Sequence, residues 1–434
     1  MQPCSPQRTF WSVAVGHLTI DIFTGMGPVL LAFLSAHVLS LSNTQIGFAV
    51  STAQLFSALS QPLFGWSCDR NGGRLLAVAG LAWMVSLLML AIVIAQVTGN
   101  FALMIVPYVL AFLGSGAFHP VGAMYAAQAS VTRARSNTSI FFLMGQIGVA
   151  AGPALAGVLL DRLATHNNDT FTRALGPAFD GVLMETGTVT PLLSVGLMAL
   201  PALLFMAMSI PNFTMHITQR ASEAAAATAN TARRAALPVG TIALLAVVVA
   251  LRGVVNPGSA AFIPRLFQSK GWEASAYGFV TSAFWLGGGI AGVVVARMAD
   301  KRDSRLLVAL TLIATAPAMF LLVTTDGPLA FVMALIAGAL SGASHSLIVV
   351  QAQALLPGRK ALASGTILGF MFSAGAIGSL TMGALSDRFG LPSAFYTVAA
   401  VAVVAGALGL LLPSDRQRQA AMTRTEAEPA AAGD

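Results

Sequence analysis

Charge is the scarcest property of this chain. Only 9% of its 434 residues are Asp, Glu, Lys or Arg, against about 25% in a soluble domain. Its two cysteines, Cys4 and Cys68, are too few for a disulfide framework and do not form a metal-binding spacing. Aromatic residues make up 8% and are not interleaved with basic runs. The net charge of +7 and pI near 10.1 therefore lack the basic domain and stacking aromatics of a nucleic-acid binder. No H-E-x-x-H segment occurs, which excludes that metalloprotease pattern.

What the chain has in quantity is apolar residues, 56% of the total, with a mean hydropathy of +0.79. A helix crosses a bilayer with about 20 mostly apolar residues. Twelve such stretches lie near 10–39, 45–66, 75–97, 101–129, 137–160, 190–211, 239–267, 274–296, 305–325, 328–356, 361–386 and 392–413. Seventeen of the 23 lysines and arginines fall in alternate gaps between them or at the chain ends; the other gaps hold five. That bias predicts a multi-pass inner-membrane protein with both termini cytoplasmic. The basic residues then set orientation and meet anionic lipid heads. The first stretch holds His17 and Asp21 and is longer than the apolar core of a cleaved signal, so it reads as a spanning helix.

Two six-helix bundles are expected, at 1–211 and 239–413. An alanine-rich cytoplasmic linker, 212–238, joins them, and residues 414–434 form a polar cytoplasmic tail that reads as disordered. The other long loop, near 161–189, is external. The halves repeat each other. Gly47-Phe48 matches Gly278-Phe279, and at the same offset Asp69-Arg70 matches Asp300-Lys301 and Arg74 matches Arg305. At a second constant offset, Gly116 and His119 match Gly342 and His345, Gly152 matches Gly378, and Asp161-Arg162 matches Asp387-Arg388. Duplication of a six-helix unit is how many secondary transporters are built.

The segment Gly65-Trp66-Ser67-Cys68-Asp69-Arg70-Asn71-Gly72-Gly73-Arg74 resembles the cytoplasmic G-x-x-x-D-R-x-G-x-R signature of the major facilitator superfamily. A degraded copy runs from Ala296 through Asp300 and Lys301 to Arg305, where that family keeps its second. The resemblance implies a cytoplasmic gate made of Gly65, Asp69, Arg70, Arg74, Asp300, Lys301 and Arg305. In it Gly65 permits close helix approach, Asp69 caps a neighbouring helix N-terminus, and the arginines hold a charge network that breaks as the halves rock. The bland alternative is a solvated turn that obeys the charge bias.

Helix 5 carries Gly148, Gly152, Pro153 and Gly157, similar to the G-P-x-x-G-G signature common in exporters of the superfamily, with Ala156 in place of one glycine. Tight small-residue packing accounts for the same residues equally well. Gly16-His17-x-x-x-Asp21 followed by Pro28, then Ser60-Gln61-Pro62-Leu63-Phe64-Gly65 and Ala117-Phe118-His119-Pro120, resembles the fosmidomycin-resistance branch, whose members are proton-driven drug exporters. The chain departs from that branch at Val121, where an acidic residue is common. Leu110 stands near the place of the helix-4 arginine of many drug/proton antiporters.

Asp21 is the only carboxylate deep in a stretch, and Arg252 the only deep cation. Asp21 lies about 15 Å into helix 1, near the bilayer midplane. A charge there costs ~2.5–3.5 kcal/mol on insertion scales, so each faces a partner or a wet cavity. His17 and Asp21 share a helix face, as do Arg252 and Asn256. With His119 and His345, these groups fall on helices 1, 4, 7 and 10, which line the central cavity in the superfamily. The candidates are Asp21, His17 and His119 for proton coupling, and Arg252, Asn256, His345 and Gln146 for substrate. Gln54 and Gln61 are weaker candidates. Alternatives stay open: a fixed Asp21–Arg252 ion pair joining the halves, His119 bonded to local backbone, His345 bonded to a neighbour, and His17 simply hydrated.

The sequence thus predicts an all-α polytopic membrane protein with twelve transmembrane helices in two pseudo-symmetric bundles, the major facilitator fold. Its expected activity is proton-coupled export of a small polar or anionic molecule or drug by a monomer, with protons and the bilayer as further partners and no cofactor or metal. The rivals are a proton-coupled importer of an organic acid or sugar and a membrane enzyme built on His17, Asp21 and His119.

Overall fold

The computed structural model of the chain describes residues 5–129, 134–165, 195–211, 239–299, 301–345 and 360–417. The linker, most of the long external loop, the end of the expected tenth stretch and the tail beyond 417 lie outside these. The described residues form twelve α-helices and no strand. The first six are α1 (Pro6–Leu34), α2 (Asn43–Asn71), α3 (Arg74–Thr98), α4 (Phe101–Gln128), α5 (Ala134–Thr165) and α6 (Leu200–Ser209). The second six are α7 (Val239–Ser269), α8 (Ala274–Ala299), α9 (Ser304–Thr324), α10 (Pro328–Gly342), α11 (Lys360–Phe389) and α12 (Leu391–Gly409). Among the described residues, nine spans are long and apolar enough to cross a membrane, and the helices at Val195–Ser209 and Pro328–Gly342 are shorter apolar ones. The remaining helix, α2, is diluted by Ser, Gln and Asn along its length, yet it packs between neighbours like the rest.

Local chemistry sets the turns. Ser5 caps α1 by accepting from Arg8 N, with Pro6 in the first turn. A π-helical turn, Ser35–Leu39, ends that helix, and Ser40 follows at φ 48°. Ser42 and Gln45 then open α2 as a capping box. Gly72 stops α2 at φ 82°, Gly99 stops α3 at φ 57°, and Gly390 separates α11 from α12 at φ 84°. Residues with a Cβ rarely adopt this left-handed region. The start of the tail is not free: Asp415 accepts from Ser304 N and Oγ, both at 2.8 Å. It thereby adds to the cap that Asp303 supplies to α9, and the expected disorder does not begin at residue 414.

The packing is duplicated as the sequence is. In the first half α1 packs on α5, α2 on α4, and α3 on α4; in the second α7 packs on α11, α8 on α10, and α9 on α10. The halves meet through α2 with α11 and α5 with α8, again a reciprocal pair, and more lightly through α1 with α7. One end of the bundle carries the start of α1 at Pro6 and the end of α12 at Gly409; we call the other the distal face. It bears the α1–α2, α3–α4, α7–α8, α9–α10 and α11–α12 turns. Hydrogen bonds of Asn43, Thr44, Ser51, Ala154 and Asp161 to residues of the other half join the halves toward the distal face.

Candidate functional site

Asp21 sits at the centre of a three-helix cluster. His17, one turn earlier on α1, places Nε2 3.2 Å from Asp21 Oδ2. His119 on α4 places Nε2 3.4 Å from Oδ1. The opposite ring nitrogens are held by main-chain carbonyls: His17 Nδ1 lies 2.7 Å from Phe141 O, and His119 Nδ1 lies 2.7 Å from Ser115 O. A carbonyl can only accept, so each Nδ1 carries a hydrogen. In the neutral tautomer each Nε2 is then a bare acceptor aimed at a carboxylate oxygen. Neither contact becomes a hydrogen bond until a proton is placed in it. The cluster therefore has room for two mobile protons, one in each Nε2–O contact.

The surroundings rigidify this arrangement. The His17 ring stacks on Phe141 at 4.0 Å and meets the His119 ring edge-on at 5.0 Å. Ser57 on α2 donates to Ser115 Oγ at 3.5 Å, and that hydroxyl is 3.2 Å from His119 Nδ1. The side chain of His119 is 25% exposed, against 3% for His17, so water reaches the cluster from the His119 side. The ligand atoms of the three residues lie within 4.8 Å of one another. That spacing would admit one small ion, and each imidazole also faces its own carboxylate oxygen at hydrogen-bond range.

Small residues on α5 make the cluster possible. A Cβ at Gly145 would overlap the His17 ring and Asp21 Oδ2, and one at Gly148 would meet Leu18 O and Asp21 Cβ. Gly152 lies against Ile22 O, and Gly157 against Ala274 O on α8. Gly145→Ala is expected to push α1 from α5 at a cost of about 1–3 kcal/mol. Thermal unfolding in detergent checks this, and an unshifted melting temperature would mean that the helices tolerate a wider gap.

Arg252 on α7 occupies in the second half the position that Asp21 holds in the first, by the same offset that relates Asp69 to Asp300. His345, the counterpart of His119, places Nδ1 3.4 Å from Arg252 Nη1. One position thus carries carboxylate with histidine in one half and guanidinium with histidine in the other. Asn256 donates to Ser341 Oγ at 2.9 Å. Arg252 is 3% exposed. Its Nε, like Ser344 Oγ and Gln54 Oε1 on α2, is a buried polar atom without a hydrogen-bond partner among the described residues.

The structure bears on the alternatives left open in the sequence. Asp21 and Arg252 form no ion pair: the carboxylate is occupied by two imidazoles and the guanidinium by one. His17 is buried rather than hydrated. His119 takes both roles open to it, local carbonyl and Asp21. Gln146 is exposed on α5, while its neighbour Gly145 faces the cluster. Gly65 is not a point of tight approach, since a Cβ there would sit 3.8 Å from Pro120 Cβ. Gln61 is half-buried.

The described side chains of the expected gate make contacts within their own halves. Arg70 lies over the Trp66 ring at 4.2 Å, and Arg74 donates to Ala207 O. Arg305 reaches Leu410 O, Leu412 O and Asp303, and Lys301 is exposed. Asp300 and the Asp69 side chain lie outside the described residues. Sequence reasoning missed Phe141, Ser115, Gly145 and Ser341. The carbonyls leave no composition signal, and the other two become visible only once α4, α5 and α10 are placed.

Known proteins share this architecture. The Major Facilitator Superfamily profile matches residues 13–167 and 241–432. An uncharacterized MFS-type transporter of Bacillus subtilis, YfnC, is 25% identical over 413 residues, covering 93% of this chain and 92% of its own. The fosmidomycin resistance protein of Escherichia coli is 24% identical over 407 residues, covering 94% and 93%. In fold, a bacterial homologue of the human lysosomal transporter Spinster superposes with a TM-score of 0.75 at 16% identity, over 95% of this chain and 97% of that one. The xylose transporter XylE of E. coli gives 0.68 at 15%, over 95% and 99%. The chain is a multi-pass membrane transporter of the major facilitator superfamily.

Proposed function

We propose that the chain exports a small anionic or polar molecule from the cytoplasm across the inner membrane in exchange for protons, by alternating access of the two halves. The observation that carries the coupling is the pair of Nε2–carboxylate contacts at Asp21. Because both Nδ1 atoms are fixed by carbonyls, loading and unloading protons is the chemical change this cluster can make. Arg252, with a free Nε–H beside His345 and Asn256, supplies the substrate anchor. A buried guanidinium with no acidic partner among the described residues favours carboxylate or phosphonate, which its fork of donors can grip. Anion binding at Arg252 and proton binding at Asp21 then occur on facing helices of opposite halves.

Both termini are taken as cytoplasmic, so the distal face is external and closed here, and Asp69, Arg70, Arg74, Asp300, Lys301 and Arg305 would latch the cytoplasmic side in the opposite state. Export is favoured by the small-residue pattern of α5 and by the printed name of the fosmidomycin resistance protein. The test is a resistance screen of the overexpressed chain in an efflux-deficient host, with fosmidomycin among the compounds. It is followed by counterflow of the active compound in inverted vesicles. A raised inhibitory concentration that vanishes with the proton gradient is expected. Accumulation of the compound in intact cells would reverse the direction to import.

A further inference from the structure

Two acidic residues outside the site join the halves in a duplicated pattern. Asp161, at the distal end of α5, accepts from the first two amides of α8: Ala274 N at 2.8 Å and Ser275 N at 2.7 Å. Asp387, at the distal end of α11, accepts from the first two amides of α2: Asn43 N at 2.9 Å and Thr44 N at 2.7 Å. Each carboxylate uses both oxygens, and each caps a helix of the other half. The backbones beneath approach just as reciprocally. A Cβ at Gly157 would strike Ala274 O and one at Gly383 would strike Asn43 O, while Gly278 lies on Pro153 O and Gly47 on Ser379 O. Arg265 of α7 adds a bond to Asn43 Oδ1 at 3.1 Å.

A helix N-terminus leaves four amides unsatisfied and carries about half a positive charge. Water can replace a carboxylate there at small net cost, provided the site is near solvent. Asp387 is exposed and Asp161 half-buried. These contacts are therefore strong enough to bias a two-state equilibrium and weak enough to break on every cycle. The glycines below supply close contact without side chains that would interlock.

We propose that Asp161 and Asp387 form a two-point latch that holds the distal face shut, each by capping a helix of the opposite half. The inference rests on the alternating-access reading above. Losing one cap is expected to shift the closed-to-open ratio about five-fold. The two points share no residue and no helix, so their effects should add, giving about 25-fold together.

The experiment uses Thr24→Cys, on the half-buried face of α1 one turn beyond Asp21, in a Cys4→Ser, Cys68→Ala background. A membrane-impermeant maleimide is applied separately to each side of the membrane. In Asp161→Asn/Asp387→Asn, labelling from the distal side should quicken about 25-fold, and labelling from the other side should slow. Asp161→Glu/Asp387→Glu, which keeps both charges, should lie much closer to the parent. Unchanged rates in the Asn variant overturn the latch. So do rates that rise from both sides, because that marks loosened packing rather than a shifted state. The parent separates the two readings. If it labels from both sides while the Asn variant does not shift, the latch falls and alternating access stands. If neither protein ever labels from the distal side, both fall.

Discussion

Asp21→Asn is expected to abolish substrate-driven proton movement, down to the level of empty vesicles, while the protein remains folded. The asparagine is nearly isosteric, and its amide can donate one hydrogen bond to an Nε2 that now needs no mobile proton. His17 keeps Phe141 O and His119 keeps Ser115 O, so α1, α4 and α5 stay in register. What is lost is the carboxylate that makes both contacts depend on added protons. Proteoliposomes loaded with a pH-sensitive dye and given the substrate found in the resistance screen read this directly, with a melting curve beside them to establish folding. Exchange of substrate without a gradient is expected to survive. Persistent acidification or alkalinisation in the variant would remove Asp21 from the coupling role.

The second large effect is at Arg252. Loss of a hydrogen bond to a charged group costs about 1.5–3 kcal/mol, so Arg252→Ala should weaken binding of an anionic substrate roughly 10- to 150-fold. Arg252→Lys keeps the charge but not the planar fork, and should lose affinity for anions selectively. Because the guanidinium meets His345 and not Asp21, the structure makes a further demand. Stability changes of Arg252→Ala and Asp21→Ala should add in the double variant. Rescue of Arg252→Ala by Asp21→Ala, with substrate affinity unaltered, would restore the static-pair reading and sink the binding role. Affinity is read by titration with the compound from the resistance screen, and stability by thermal unfolding of the three variants.

Much of this was present in the sequence because one-dimensional rules suffice for it. The scarcity of charge and the spacing of apolar runs set the spans, since each helix must satisfy its own backbone in lipid. The repeat of Asp69, Arg70 and Arg74 by Asp300, Lys301 and Arg305 set the duplication. The i, i+4 spacing of His17 and Asp21 put them on one face, because periodicity within a helix is local geometry. The depth of Asp21 and Arg252 marked them as candidates by the cost of burying them.

What the sequence left open was decided by which helices touch. His119 is far from Asp21 in the chain, and only the packing of α1, α4 and α5 brings its Nε2 to the carboxylate. The carbonyls of Phe141 and Ser115 that fix both tautomers are backbone atoms, common to every residue type and so invisible to composition. A pair of Asp21 with Arg252 stayed open as an alternative to separate sites, because opposite charge at matching depth says nothing about distance. Asp161 and Asp387 stood in the sequence only as markers of the repeat. Their bonds to Ala274, Ser275, Asn43 and Thr44 join segments more than a hundred residues apart, and follow from how the two halves lean together. Helical periodicity orients a side chain about its own axis. Only tertiary packing supplies the partner it finds there.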